Sequence, residues 1–365
     1  MGPDSGEADC GTGEQLLLSC ARTSVAVETR DRIRALASGP VEWECLAAAA
    51  SAHGVLPLLY RALKTACPDA IPQPAADRLR DLAHACACRN AFLAGELRRV
   101  MGLLGESGVA AVPLKGPVLA LQAYGDVLLR QYWDLDILIR RHDFARVVGL
   151  LSDAGYRPPR PMSRARRAVL LRFGFECNLA REDGACCVQL HWAGSGGAIS
   201  LPLDPDRLRE RLVMLPLAGA MLPTLPVEEL LLYLCAHGGR HCWRRLQWVC
   251  DVAELLRRHS GGEWGRLVAL SRASGTGRML SLGLLLAHDL LDAPLPADLL
   301  RQVESDALLP ALAAQSRRWL FTREPRGGAT AAQEFCFQLR LRERWRDRVV
   351  GLAGGILEFA ARHAG

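Results

Sequence analysis

From Val27 to about Glu106 the apolar residues recur at the spacing of amphipathic helices, with breaks at Gly54 and between Pro68 and Pro74. This predicts three or four helices, the last one long. Beyond Glu106 the period changes. Val109 to Leu114 is a short apolar run and Trp133 to Ile139 alternates; Leu171 to Leu179 and Cys186 to Trp192 are two further strand candidates around Arg181-Glu182-Asp183-Gly184. These predict one mixed sheet. Helices are expected over Pro117 to Tyr124 and Asp143 to Ala154, with Gly155 where a C-terminal cap belongs. After Pro205 helical periodicity returns through Val227 to Gly238, His241 to His259, Glu263 to Ala273 and the Arg-rich Phe335 to Val350, with no strand alternation. Gly194 to Pro205 and Arg323 to Thr330 read as linkers. The expected order is helical, then α/β, then helical.

At 365 residues, with 50% hydrophobic and 23% charged positions, the chain is long enough for two or three cores, and disorder and collagen-like classes are excluded. The balance of 45 basic against 39 acidic residues is too even to imply nucleic-acid binding, so no nucleic-acid partner is expected. Only Lys64 and Lys115 are lysines, which makes each informative in a chain that otherwise writes Arg for its cations. Thirteen cysteines fall partly in apolar helical stretches, and Met1 to Gly13 carries no apolar signal-peptide core. The apolar run Leu280 to Leu291 is interrupted by His288 and Asp289. The expectation is a reduced, cytoplasmic protein with no membrane partner.

Candidate chemistry centres on Trp133-Asp134-Leu135-Asp136-Ile137-Leu138-Ile139. Side chains alternate along a strand, so Asp134 and Asp136 share one face while Leu135, Ile137 and Ile139 pack the other. Same-face positions lie roughly 7 Å apart along the backbone, close enough for both carboxylates to reach one divalent cation or a pair of them. Oxygen-only ligands favour Mg2+ or Mn2+ over zinc. Upstream, Pro113-Leu114-Lys115-Gly116-Pro117 ends the first expected strand, with Gly116 where backbone can approach a phosphate and Pro117 at the first helical position.

Leu114-Lys115-Gly116, Arg130, Asp134-x-Asp136, Gly155-Tyr156 and Leu190-His191-Trp192 together resemble the uncharacterised bacterial nucleotidyltransferase-like family of the polymerase-β superfamily. Cys235 to Leu246, with Trp248 and Asp251, resembles that family's helical signature, and His53-Gly54-Val55 to Leu63 its amino-terminal helices. The resemblance spans roughly Trp43 to Leu256. It implies an α+β fold, a small polymerase-β-like mixed sheet with helices, flanked by N- and C-terminal helical domains. The corresponding division is a flexible tail over 1–13, helical 14–108, a nucleotidyltransferase-like core over 109–204 and helical 205–365.

The resemblance further implies a Mg2+- or Mn2+-dependent transfer of a nucleoside monophosphate from a nucleoside triphosphate, ATP among them, to a hydroxyl or amine acceptor. That acceptor is a small molecule, peptide or protein. Asp134 and Asp136 would hold metal, Lys115 and Gly116 would grip the triphosphate, and Arg130 would contact phosphate. The family's acidic position before Leu190-His191-Trp192 is Gln189 here, a poor metal ligand. A tight turn centred between Glu182 and Asp183 would set Glu176 opposite Gln189, on the same face, as a replacement third carboxylate. Gln189, His191, Arg240, His241 and Arg244 are candidate substrate or phosphate contacts. His237 and His241, four apart, invite a zinc reading that no nearby acid completes and that Gly238-Gly239 would break. The alternative is a catalytically impaired nucleotide-binding or protein-interaction module of the same fold.

Overall fold

The protein is described here as a computed structural model covering residues 11–174, 176–192, 201, 203–322, 330–346 and 348. Both linker-like stretches, most of the amino-terminal tail, and the end of the Arg-rich segment lie largely outside the described residues. The front end is helical: α1 (Thr12–Cys20), α2 (Val27–Ala37), α3 (Trp43–Ala52), α4 (Leu56–Ala66) and the long α5 (Gln73–Glu106). Gly54 makes the turn between α3 and α4 with φ of 73°, and a Cβ there would lie 2.7 Å from the Gln247 side chain. The helix α1, not anticipated from the periodicity, buries Leu16, Leu17 and Cys20.

The sheet follows as β1 (Ala111–Pro113), α6 (Pro117–Leu119) continued by a π-helical turn Ala120–Tyr124, β2 (Leu135–Ile139), α7 (Phe144–Asp153), β3 (Tyr156–Arg157), α8 (Arg164–Phe173), β4 (Glu176–Arg181) and β5 (Cys187–Trp192). Its order is β1-β2-β5-β4-β3, with β2 parallel to β5 and the other neighbours antiparallel, so it is mixed as expected. Gly155, with φ of 86°, follows α7 in the left-handed cap position.

Four expectations need correction. Leu171 to Phe173 are helical, because Ser163 caps α8 by accepting from the Arg166 amide at 3.2 Å; the strand begins only at Glu176. The β4–β5 turn is wider than a two-residue turn, with Ala180 opposite Cys187 as the last ladder pair and Gly184 in the left-handed region. Glu176 therefore faces His191, and Asn178 faces Gln189. The slip is two residues, an even number, so Glu176 keeps the face it was assigned.

The other two corrections lie in the carboxyl-terminal half. After α9 (Pro205–Leu208) a hairpin forms from β6 (Val213–Leu217) and β7 (Ala220–Thr224), turning on Ala218 and Gly219, both with positive φ. Pro216 and Pro223 had hidden these strands; a two-stranded ribbon leaves each strand an outer edge where proline is tolerated. Next come α10 (Val227–Arg240), α11 (Leu246–Arg258), α12 (Trp264–Ser274), α13 (Gly277–Leu291), α14 (Ala297–Glu304), α15 (Leu309–Phe321) and α16 (Ala331–Leu341). Gly238 and Gly239 do not break α10. A Cβ on Gly238 would lie 2.5 Å from the Trp243 ring, so glycine lets the helix carry a buried indole against its backbone.

Two apolar cores result. One joins the chain's two helical ends, taking Ile33 and Leu59 from the front and Leu231, Val249 and Leu284 from the back. The other lies under the sheet, where Leu135, Ile137 and Ile139 pack with Leu190, Phe144 and residues Leu93 to Leu104 of α5. Val112, Leu114 and Leu138 point from the opposite sheet face into the first core. Among the described residues every cysteine is a free thiol, and no helix is long and apolar enough to cross a membrane.

Gly238→Ala is expected to lower unfolding stability by roughly 2 kcal/mol by overpacking Trp243. Gly102→Ala, on an exposed part of α5 with open space, is expected to raise it by about 0.5–1 kcal/mol. Urea unfolding of both variants checks the pair, and equal effects would contradict the packing described.

Candidate functional site

The sheet face turned toward the helical end carries the polar residues. Parallel pairing of β2 with β5 sets Asp136 beside Gln189, and antiparallel pairing of β4 with β5 brings Asn178 and Glu176 onto that face. Asp134 stands one residue before β2, where the chain bends, and every residue of β2 is buried. The loop after β1 closes the near side. The Leu114 amide donates to the Asp136 carbonyl at 2.9 Å, and Gly116, with φ of 63°, lies against the Asp134 carbonyl, 3.4 Å from where a Cβ would be. Glycine at 116 thus holds Lys115 over the carboxylates.

Asp136 is almost fully buried, and its Oδ1 meets two cation-forming groups: Lys115 Nζ at 3.2 Å and His191 Nε2 at 2.9 Å. Burial alone would raise its pKa, but Lys115 and His191 overcome this and hold the carboxyl well below the usual range. Burial works against a charged Lys115 as well, and Asp136, Tyr233 and Asp134 keep it protonated, above its ordinary value. Asp134 moves the other way. Burial and the like charge of Asp136 raise its pKa, and its carboxylate has no hydrogen-bond partner among the described residues. The contacts continue from His191 Nδ1 to Glu176 Oε2 at 4.0 Å and from that oxygen to Arg240 Nη2 at 3.7 Å. Glu176 Oε2 is buried and accepts no hydrogen bond.

The facing wall is α10. Tyr233 stands with its ring centroid 5.9 Å from Lys115 Nζ, His237 follows one turn later, and Arg240 ends the helix. His237 and His241 have centroids 4.7 Å apart, and Trp248 lies against both at 5.5 and 5.2 Å. Burial, then Lys115, pushes His237 well below its ordinary pKa; burial and the neighbouring arginines push His241 down to about 4. Both are neutral near pH 7 and pack as aromatic rings. Tyr233 was missed from the sequence, although Tyr233, His237 and His241 recur every four residues, the mark of a single helix face.

Several expected contacts are redirected. Arg130 makes no approach that leaves it free for phosphate: its guanidinium is buried and bound to Asp251 in two contacts of 2.7 and 2.9 Å, with Tyr124 donating to the same carboxylate at 2.7 Å. Asn90 of α5 donates to the Arg130 carbonyl at 2.8 Å. This network ties the front helix, the sheet unit and α11 together. Gln189 donates its amide to Asn178 at 3.0 Å. Arg244 pairs with Glu334 of α16 and covers Trp319, away from Glu176. Among the described residues no three His, Cys, Asp or Glu side chains are grouped to hold a metal ion, so neither the His237–His241 pair nor an Asp134–Asp136–Glu176 triad forms a closed protein cage.

Asp251→Ala should cost about 3–5 kcal/mol by leaving Arg130 buried and unpaired, while Arg130→Leu/Asp251→Leu should recover most of that loss. Denaturant midpoints decide it, and a single-variant effect below about 1 kcal/mol would contradict the assignment. At pH 7 and without metal, Asp136→Asn should lower Tm by several degrees and Asp134→Asn should raise it by about 1–2 °C. Because the Asp136 pKa is depressed on folding, its stabilisation is present above the ordinary carboxylate range and fades as pH falls below about 4. The Asp136→Asn deficit should shrink there in thermal melts.

Compared with known families, residues 39–292 match the model of a family described as uncharacterised nucleotidyltransferase. That span holds every sheet and α10 residue named above, and ends before α14. No curated protein matches the chain.

Proposed function

The chain belongs to the uncharacterised nucleotidyltransferase family, and from that premise we propose a polymerase-β-like, Mg2+-dependent transfer of a nucleoside monophosphate from a nucleoside triphosphate to a hydroxyl or amine acceptor. The observation that carries the reading is the charge balance at the start of β2. Asp134 and Asp136 are neighbouring carboxylates, one without a hydrogen-bond partner among the described residues and raised in pKa, beside a partly buried lysine. A site arranged this way gains from a cation and from an anion that Lys115 can meet.

The donor set suits Mg2+, which binds through one or two carboxylates and takes its remaining ligands from water and phosphate oxygens. Asp134 and Asp136 would hold it, and Mn2+ suits the same oxygens. When bound, such an ion neutralises charge developing on the transferring phosphoryl group. Lys115 meets the triphosphate from the loop that Gly116 allows, and Tyr233 and His237 form an uncharged wall beside it. In the reaction the acceptor oxygen or nitrogen forms a bond to the α-phosphorus as the bond to the bridging oxygen breaks. Pyrophosphate leaves with that electron pair, and the acceptor's proton passes to a base. Glu176 suits that last role, since its Oε2 accepts no hydrogen bond and lies on the side of His191 away from Asp136.

One observation favours a second reading. Glu176 is joined to His191 and Arg240 instead of to the aspartate pair, which fits a module that binds nucleotide without turning it over. The two part at pyrophosphate.

Calorimetric titration with each nucleoside triphosphate is expected to give binding that needs Mg2+ and falls at least tenfold in Asp134→Asn/Asp136→Asn. Pyrophosphate release by the parent, lost in Glu176→Gln while binding persists, marks the enzyme; binding with no release under any acceptor screened marks the module. No triphosphate binding with or without Mg2+ overturns both.

A further inference from the structure

A cavity of about 550 Å³ opens beside Arg240, between the α10–α11 loop, the α3 end, and α15 and α16. Its size is that of a small-molecule site. Arg240, Arg244 and Arg245 line it with His53, Trp248 and Trp319. The lining carboxylate, Glu334, pairs with Arg244, and Arg240 reaches Glu176 at 3.7 Å. The side chain of Arg245 has no carboxylate partner among the described residues and lies over the Trp248 ring at 5.9 Å. Arg244 covers Trp319 at 5.8 Å, and its Nε is buried without a hydrogen-bond partner.

Neither histidine adds charge near pH 7. Burial and Arg245 lower His53, whose Nδ1 accepts from the Leu246 amide at 3.4 Å, and His241 is pushed down to about 4. The excess charge is therefore arginine, which meets carboxylates and phosphates through paired N–H groups and stacks on flat rings. The loop that carries Arg244 and Arg245 is fixed in an unusual conformation, with Cys242 and Trp243 both at positive φ and Trp243 buried. Trp319 and Glu334 lie beyond the family span, so one wall of the cavity comes from outside the matched region.

We propose that this cavity binds a small planar molecule bearing a carboxylate or phosphate, its ring beside Trp248 and its anionic group on Arg244 and Arg245. Its role as the acceptor's site, with Arg240 leading from the cavity to Glu176, rests on the nucleotidyl-transfer reading. Its capacity to bind a planar anion does not.

Phenyl phosphate, inorganic phosphate and benzyl alcohol serve as probes in calorimetric titrations of the full chain without nucleotide or metal. Saturable phenyl phosphate binding is expected, weakened by salt and at least tenfold tighter than either other probe. Arg245→Glu, an exposed position, should weaken it at least tenfold, and Arg244→Gln should weaken it too, with circular dichroism unchanged in both. Asp134→Asn/Asp136→Asn should leave it within twofold of the parent. Binding that inorganic phosphate matches, that Arg245→Glu spares, or that the aspartate variant abolishes would overturn the proposal, as would no binding. Loss of triphosphate binding alone would count against the nucleotidyl-transfer reading and leave this cavity standing.

Discussion

A single oxygen, Oδ1 of Asp136, is the point on which the site depends. It lies on an almost fully buried strand residue, where an unpaired charge would be costly, and it is held by Lys115 and His191 together. Each partner comes from a different part of the sheet unit: the lysine from the loop after β1, the histidine from β5. The three groups therefore fix the spacing of loop and strand. They also leave Asp134 as the one carboxylate of the pair without a hydrogen-bond partner among the described residues, next to a charge that raises its pKa. The polarity of the site follows from this inequality between two aspartates two residues apart.

The second constraint joins the sheet unit to the helices. Arg130, Tyr124 and Asp251 form a buried, mutually satisfied network, and Asn90 ties it to α5. Because helices from both ends of the chain share one apolar core, α10 and α11 are held at a set distance from the sheet face that carries Asp136. The contact between Lys115 and the Tyr233 ring is a product of that packing. Arg130, which the family resemblance suggested for phosphate, is bound to Asp251 within that network.

Much of this was legible in the chain itself. The alternation of Leu135, Ile137 and Ile139 with Asp136 gave the strand and its two faces, since burying one face and charging the other leaves little choice of orientation. Lys115 was conspicuous in an arginine-rich chain, and Gly116 marked a close approach of backbone. The β4–β5 register was misjudged by two residues because turn width depends on backbone dihedrals at Gly184 that composition does not state. The β6–β7 hairpin was hidden by its prolines. The Arg130–Asp251 pair spans 121 positions, and no local pattern reports a contact at that separation. Gly238-Gly239 read as a helix breaker because the indole that packs on it, Trp243, lies beyond the helix end.

The central claim is that the Asp134–Asp136 pair is a cation site serving a bound triphosphate. Crystals grown with Mn2+ and a non-hydrolysable nucleoside triphosphate analogue test it most directly, by anomalous scattering at the manganese edge. The account predicts a peak between the two carboxylates, with the phosphates toward Lys115. Clear density for the analogue elsewhere, no peak at the pair, and Asp136 still bound to both Lys115 and His191 would contradict it.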